Sequence, residues 1–331
     1  MSVDWIEPHP HGIFVRPAGA WIDPSRAQPL AIITHGHADH AYPGHGRALA
    51  TPETLSIMAL RHGKVAGDPM PYGHQAELNG VQIELHPAGH VLGSAQIRLA
   101  YRGERVVVTG DYKRAPDPTC RRFEPVPCDV LITEATFALP VFRHPPIAGE
   151  IAKLLAVRAA NPARAILVGA YALGKAQRII AELRHAGYTA PIFIHGAMEA
   201  MCALYESHGV ALGELRPATV ANKVDFAGAI ILCPPSALHD RWSKRFPEPI
   251  LAMASGWMQI RQRARQRQID LPLIISDHAD WDELTATITE IAPAQTWITH
   301  GRADALVHWC GLHQRTARAL HLIGRDSEAD G

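Results

Sequence analysis

The hexapeptide His35-Gly36-His37-Ala38-Asp39-His40 is the feature that most narrows what this chain can become. It follows the apolar run Leu30-Ala31-Ile32-Ile33, which reads as a buried strand, so four potential metal ligands leave one strand end together. Imidazole and carboxylate both suit zinc. Alternation at 35, 37 and 39 lets the side chains converge, and Gly36 gives the backbone room to turn. One metal would use His35 and His37, a second Asp39 and His40. An isolated His-x-His pair is an ordinary surface accident; this cluster reads as a metal site.

Two more apolar strands end on residues of the same kind. Val81-Gln82-Ile83-Glu84-Leu85 leads into Pro87-Ala88-Gly89-His90-Val91-Leu92-Gly93-Ser94. Val106-Val107-Val108, the returning arm of a hairpin turning at Arg102-Gly103, leads into Thr109-Gly110-Asp111-Tyr112. Alone, His90 is a loop histidine and Asp111 a turn carboxylate capping its own backbone. Behind the hexapeptide both become ligand candidates.

In this order the residues resemble the signature of the metallo-β-lactamase superfamily: an Asp, the His-x-His-x-Asp-His cluster, a later His, an Asp and a final His. Asp23, residues 35 to 40, His90, Asp111 and His300 match it. The resemblance implies that His35, His37 and His90 hold one metal, that Asp39, His40 and His300 hold another, and that Asp111 bridges them. The ions implied are two zinc ions per chain, with manganese as the alternative. Asp23, in Trp21-Ile22-Asp23-Pro24, then resembles the family's carboxylate that orients a ligating imidazole. It reads equally well as a turn-starting residue before proline.

Three further motifs resemble the β-CASP branch of nucleic-acid hydrolases: Thr133-Glu134-Ala135-Thr136-Phe137, Ser276-Asp277-His278-Ala279-Asp280-Trp281 and Thr299-His300-Gly301. The resemblance makes His278 the acid that protonates the leaving oxygen and Glu134 the group that holds its imidazole and keeps it charged. His278 also reads as a helix-entry residue, because Asp280 and Glu283 form a capping box. Between Glu134 and His278, apolar runs at 165–168, 191–194 and 230–232 alternate with helical segments, which suggests a second small sheet. The expected fold is thus α/β: an αββα metallo-β-lactamase sandwich from residues 1–142 and 271–331, with an inserted α/β β-CASP domain at 143–270. Across nearly the whole chain the resemblance is to bacterial DNA ligase-associated exonucleases. It implies a metal-dependent phosphodiesterase, a DNA exonuclease in repair using a hydroxide held by two metals, with a DNA ligase and a helicase as partners. The alternative is an RNA-processing β-CASP ribonuclease, favoured by the retained His300. A non-catalytic scaffold that binds nucleic acid is the third reading.

With 331 residues, 47% of them hydrophobic, the chain is long enough for one large domain or two. It has no apolar run of membrane-spanning length and no basic-then-apolar leader pattern, so the expectation is a soluble cytoplasmic protein, at the nucleoid if it acts on DNA. Five cysteines without a Cys-x-x-Cys pair argue against a disulfide framework or a thiolate zinc site. A net charge of zero makes any nucleic-acid contact local. Lys113 and Arg114, just past Asp111, are candidate phosphate contacts, with Arg121 and Arg122 extending that rim. The arginines at 261, 263, 265 and 267 wrap around a helix and cannot all face one phosphate track. Gly169-Ala170-Tyr171-Ala172-Leu173-Gly174-Lys175-Ala176 nearly spells a phosphate loop, but Ala176 lacks the hydroxyl that holds magnesium, which argues against an ATPase. Lys175 remains a candidate phosphate contact at a helix start. The acidic tail 326–330 reads as a frayed end.

Overall fold

The computed structural model describes residues 3–219, 226–320 and 322; the acidic tail lies outside the described residues. The chain folds as two compact units, residues up to Arg143 together with those from His278 onward, and His144–Asp277.

The first unit contains two sheets. One takes its six strands in chain order, from Ile6–His9 through Gly12–Val15, Ala20–Ile22, Ala31–Ile32 and Ala48–Ala50 to Gly67–Pro69. The other has seven, ordered Ala317–Ala319, Gln295–Gly301, Val130–Ala135, Glu104–Val108, Ala95–Tyr101, Val81–Pro87 and Gln75–Leu78. Alternation along these strands sorts side chains between two cores. Val106, Val108, Val130 and Ile132 meet Ile13, Val15, Ile22 and Ile32 of the first sheet in one apolar cluster. Their neighbours Val107 and Leu131 point the other way, onto Leu284 and Ile288 of the helix Trp281–Ile291 and Leu306 of the helix Asp304–Leu312. On the far side of the first sheet, Ala31, Ile33 and Ala48 pack with Met58 of the helix Pro52–His62. The layering is therefore helix, sheet, sheet, helix. Deep in the inter-sheet core, Ile97→Ala should cost about 2–5 kcal/mol.

The hairpin turn at Arg102-Gly103 has φ of 50° and 82° at its two central residues, and Tyr101 pairs with Glu104 across it. Positive φ at both positions matches the right-handed twist of the flanking strands.

The second unit is built on a six-stranded parallel sheet, ordered Leu215–Pro217, Ile192–Ile194, Ile230–Cys233, Ile166–Gly169, Ile250–Ala254 and Leu271–Leu273. Its central strands are buried throughout, as parallel strands covered on both faces must be. One sequence expectation changes here. Leu271–Leu273, assigned to the returning core segment, pairs instead with Ile250–Ala254 at the edge of this sheet, with Ala252 opposite Leu271. Among the described residues no helix is long and apolar enough to cross a membrane. The five cysteines are free thiols, four of them buried.

Candidate metal centre

The centre lies in the first unit, where several strands end. Beyond the strand Ala31–Ile32, the Ile33 amide still donates to Leu49 O at 2.8 Å. At Thr34 the ladder is replaced by a carboxylate: the Thr34 amide donates to Asp23 Oδ1 at 2.8 Å and its hydroxyl to Oδ2 at 2.6 Å. Asp23 Oδ2 also receives His40 Nδ1 at 2.8 Å, so one buried side chain ties the strand end to the end of the hexapeptide. Asp23 holds a left-handed φ of 43°, a strained conformation for a residue with a side chain, maintained by these three bonds.

The hexapeptide wraps closely over the helix Pro52–His62. A Cβ on Gly36 would lie 2.5 Å from Ile57, so close packing against this helix also calls for glycine. The Gly36 carbonyl accepts from Arg61 Nη1 at 2.7 Å. Neither Thr34 nor Arg61 was a candidate from sequence. Thr34 had a usable signal, a hydroxyl beside His35; Arg61, 25 residues from its partner, had none.

His35 Nε2 and His90 Nε2 converge on His37 Nδ1 at 3.1 and 3.0 Å. Asp111 Oδ2 lies 3.4 Å from His35 Nε2, 3.7 Å from His90 Nε2 and 3.5 Å from His40 Nε2. His90 reaches this point because Gly89, at φ 75°, lets the chain pass where a Cβ would stand 2.3 Å from Lys113 O. His300, at the end of the strand Gln295–Gly301, has φ 55° and stacks on His40 with ring centroids 4.9 Å apart. His278 Nδ1 meets Glu134 Oε2 at 3.0 Å, and Glu134 Oε1 accepts the Tyr112 amide at 2.8 Å.

These atoms form two ligand sets sharing Asp111: His35, His37, His90 and Asp111, and His40, Asp111 and His300, each with its donor atoms within 4.8 Å of one another. Asp111, Glu134 and His278 form a third such group. Asp39 stands aside, its side chain half exposed and its Oδ2 3.5 Å from His40 Nε2.

The electrostatics favour a cation. Burial would push Asp111 upward, but His40, His278 and His35 hold its carboxyl well below the usual range. Asp39 likewise falls to about 2, its desolvation outweighed chiefly by His40. Burial alone would lower His40, yet Asp111, Asp39 and Asp23 raise it to about 9. His35 is lowered by burial and His40, and His90 falls well below its usual value through burial and its histidine neighbours. Buried imidazole nitrogens and carboxylate oxygens fit a divalent ion such as zinc. His40 Nε2 is buried without a hydrogen bond, as a nitrogen kept for a metal would be.

The expected phosphate contacts are not on an open rim. Lys113 is buried, with Nζ 2.6 Å from Glu283 Oε2. Arg114 donates to Thr287 Oγ1 and Glu290 Oε2. Lys175, in the second unit, is 1% exposed, with Nζ 3.6 Å from Asp277 Oδ2 and 4.7 Å from the Tyr171 ring centre. Charges placed locally by sequence are taken up by carboxylates distant in the chain. Arg121 and Arg122 remain exposed. In the arginine run, Arg263 lies over the Trp257 ring at 4.2 Å, and Arg261 and Arg265 are exposed.

No family model matches the chain. It is 28% identical over 333 residues to a probable DNA ligase of Opitutus terrae, covering 98% of this chain and 32% of that protein. It is 27% identical over 266 residues to the cleavage and polyadenylation specificity factor subunit 3-I of Arabidopsis thaliana, covering 67% of this chain and 38% of that one. Identity to the endoribonuclease YSH1 of Candida glabrata is 34% over 117 residues, 34% of this chain and 15% of the relative. The chain thus spans about a third or less of the length of two of these proteins and 38% of the third. A crystal structure of an Enterococcus faecalis protein of unknown function shares the fold, with a TM-score of 0.54 at 12% identity over 81% of this chain and 74% of that one. The ordered candidate ligands, the αββα core and these relatives are consistent with the metallo-β-lactamase superfamily, in its β-CASP branch.

Proposed function

We propose that this protein is a divalent-metal-dependent phosphodiesterase that degrades DNA from an end, in repair. The observation that carries the reading is Asp111, shared by two imidazole-rich ligand sets, beside the hydrogen-bonded His278–Glu134 pair. Two zinc ions per chain, or manganese, would be held by His35, His37, His90 and Asp111 and by His40, Asp111 and His300, with Asp39 at the edge of the second set. When bound, such ions lower the pKa of water and stabilise charge building on the phosphoryl oxygens.

The protein's own groups do the rest. Asp23 fixes the His40 ring through Nδ1 and so turns Nε2 toward Asp111. Glu134 engages His278 Nδ1, which leaves the Nε2 proton as the one delivered to the leaving oxygen. The same carboxylate holds the Tyr112 amide, next to Asp111, so the acid and the shared ligand keep one geometry. The second unit, His144–Asp277, is the proposed β-CASP insertion.

DNA is preferred as substrate because the match to the Opitutus protein named a probable DNA ligase runs through 98% of this chain. A nuclease that trims ends and a ligase that joins them act on the same structure, so a ligase, and with it a helicase, are the proposed partners, at the nucleoid. The competing reading, RNA processing, draws on the relative named an endoribonuclease and on His300. A metal ligand need not touch the 2′-hydroxyl by which proteins tell RNA from DNA, so His300 weighs little. The deciding experiment compares end-labelled DNA and RNA strands of one sequence with a circular DNA strand. Short products from linear DNA, slower loss of RNA and a resistant circle are expected. Rapid cleavage of the circle would reject the exonuclease reading, and preference for RNA would establish the second one.

A further inference from the structure

The capping box at Asp280 and Glu283 is present, with Glu283 N donating to Asp280 Oδ1 at 3.0 Å and Asp280 N to Glu283 Oε2 at 3.1 Å. Capping a helix uses one bond to the Glu283 carboxylate. This carboxylate accepts three more, all from one segment: Lys113 Nζ on Oε2 at 2.6 Å, and the amides of Arg114 and Ala115 on Oε1 at 3.1 and 2.7 Å. That segment begins two residues past Asp111. The helix that Glu283 opens, Trp281–Ile291, begins three residues past His278.

The same helix face continues the grip. Thr287 and Glu290 follow Glu283 at four- and seven-residue spacing, on one side of the helix, and both receive the Arg114 guanidinium, at 3.1 and 2.5 Å. A second link joins the two segments nearer the centre, where the Ala279 amide donates to Tyr112 O at 2.6 Å. One link would leave the Asp111 segment free to pivot about Tyr112. Two links, one at residue 112 and one at residues 113–115, remove that freedom. Charge strengthens the outer link, since a carboxylate bonded to an ammonium and to backbone amides makes stronger bonds than a neutral acceptor.

We propose that Glu283 is a positioning residue of the metal centre, clamping the segment after Asp111 to the helix that follows His278 so that the shared ligand and the proton donor keep a fixed separation. For its kinetic consequences this rests on the function proposed above. It also reassigns Lys113 and Arg114 from substrate contacts to parts of the clamp.

The test uses the full chain loaded with zinc and the variants Glu283→Ala, Glu283→Gln, His278→Ala and the double variant Glu283→Ala/His278→Ala. Zinc retention is titrated with a chelator, and kcat and KM are measured separately on an end-labelled DNA strand, at a temperature where every variant is folded. Glu283→Ala should weaken zinc retention and lower kcat by about 10–100-fold, the usual cost of losing a partner that orients ligands, with KM nearly unchanged. On the His278→Ala background the same change should lower kcat by less than about threefold, because positioning an absent acid has no value. Glu283→Gln keeps an oxygen for the two amides and should recover most of the loss; if the alanine variant does not fold, this one carries the comparison. Unchanged zinc retention and kcat in Glu283→Ala would overturn the proposal. So would an equal loss of kcat with and without His278, the mark of a role in stability alone. If the wild-type protein cleaves neither DNA nor RNA, the functional reading fails, while zinc retention still decides the clamp.

Discussion

Two strand ends in this molecule run into segments with the look of a ligand site, a histidine cluster that reads as a metal site and a near phosphate loop that Ala176 argues against. In the first unit Ala31–Ile32 runs into the histidine hexapeptide; in the second, Ile166–Gly169 runs into a glycine-bounded loop and the helix Lys175–His185. In a phosphate loop the backbone amides and the lysine are offered to the ligand. Here the Gly174 amide is taken by Gln177 Oε1 at 2.9 Å, the Ala176 amide by Tyr171 O at 3.1 Å, and Lys175 by Asp277. At the hexapeptide His35 Nε2 and His90 Nε2 instead both meet His37 Nδ1, at 3.1 and 3.0 Å, beside the Asp111 carboxylate. At this centre polar groups from several strand ends converge on one shared carboxylate.

The sharpest way to break this comparison is Asp111→Ala. Loss of the ligand common to both sets should remove most of the bound metal, measured by elemental analysis, and reduce nuclease turnover on the order of 10³-fold or more. A fully metallated, active variant would mean that the converging groups are not a metal site.

In the second unit the corresponding experiment is Asp277→Ala, read by urea denaturation. Lys175 and Arg178 would be left buried without their shared carboxylate, which should cost about 3 kcal/mol. A stability within experimental error of wild type would show that this charge cluster is not the internally paired structure described.

Within the metal centre, His278→Ala should lower turnover by about 10²-fold while bound metal and melting temperature stay near wild type. His300→Ala should instead loosen one metal. The reverse pattern would exchange the two roles. The smallest effect is expected for Lys175→Ala in nucleotide binding: calorimetry should detect no ATP binding in either wild type or variant, and nuclease activity should need no ATP. Stoichiometric ATP binding lost in the variant would restore the phosphate-loop reading that Ala176 argues against.

The elements legible in the sequence were those whose causes lie close together in the chain. Val106-Val107-Val108 read as the returning arm of a hairpin turning at Arg102-Gly103, and the capping box followed from Asp280 and Glu283. The crowding of His35, His37, Asp39 and His40 marked the candidate metal centre, because residues so near in sequence cannot be far apart in space. Asp23 was legible only as a choice between two roles, since its bonds to Thr34 and His40 depend on how neighbouring strand ends meet.

What the tertiary structure decided was pairing over long separations. Nothing around Lys113 points to Glu283, 170 residues away, and nothing around Lys175 points to Asp277. A charged side chain looks equally available in any sequence; only the assembled sheets and helices bring, or fail to bring, a carboxylate to it. The edge strand Leu271–Leu273 was misplaced for the same reason, because a short apolar run fits either sheet until a neighbour with free backbone groups is beside it. Sequence by itself determined which groups the chain gathers at the hexapeptide, through the identity and spacing of the candidate ligands. Tertiary structure determined which of its other charges stayed outside that cluster, because a charge is neutralised by whatever lies within a few ångströms of it in space, wherever that partner lies in the chain.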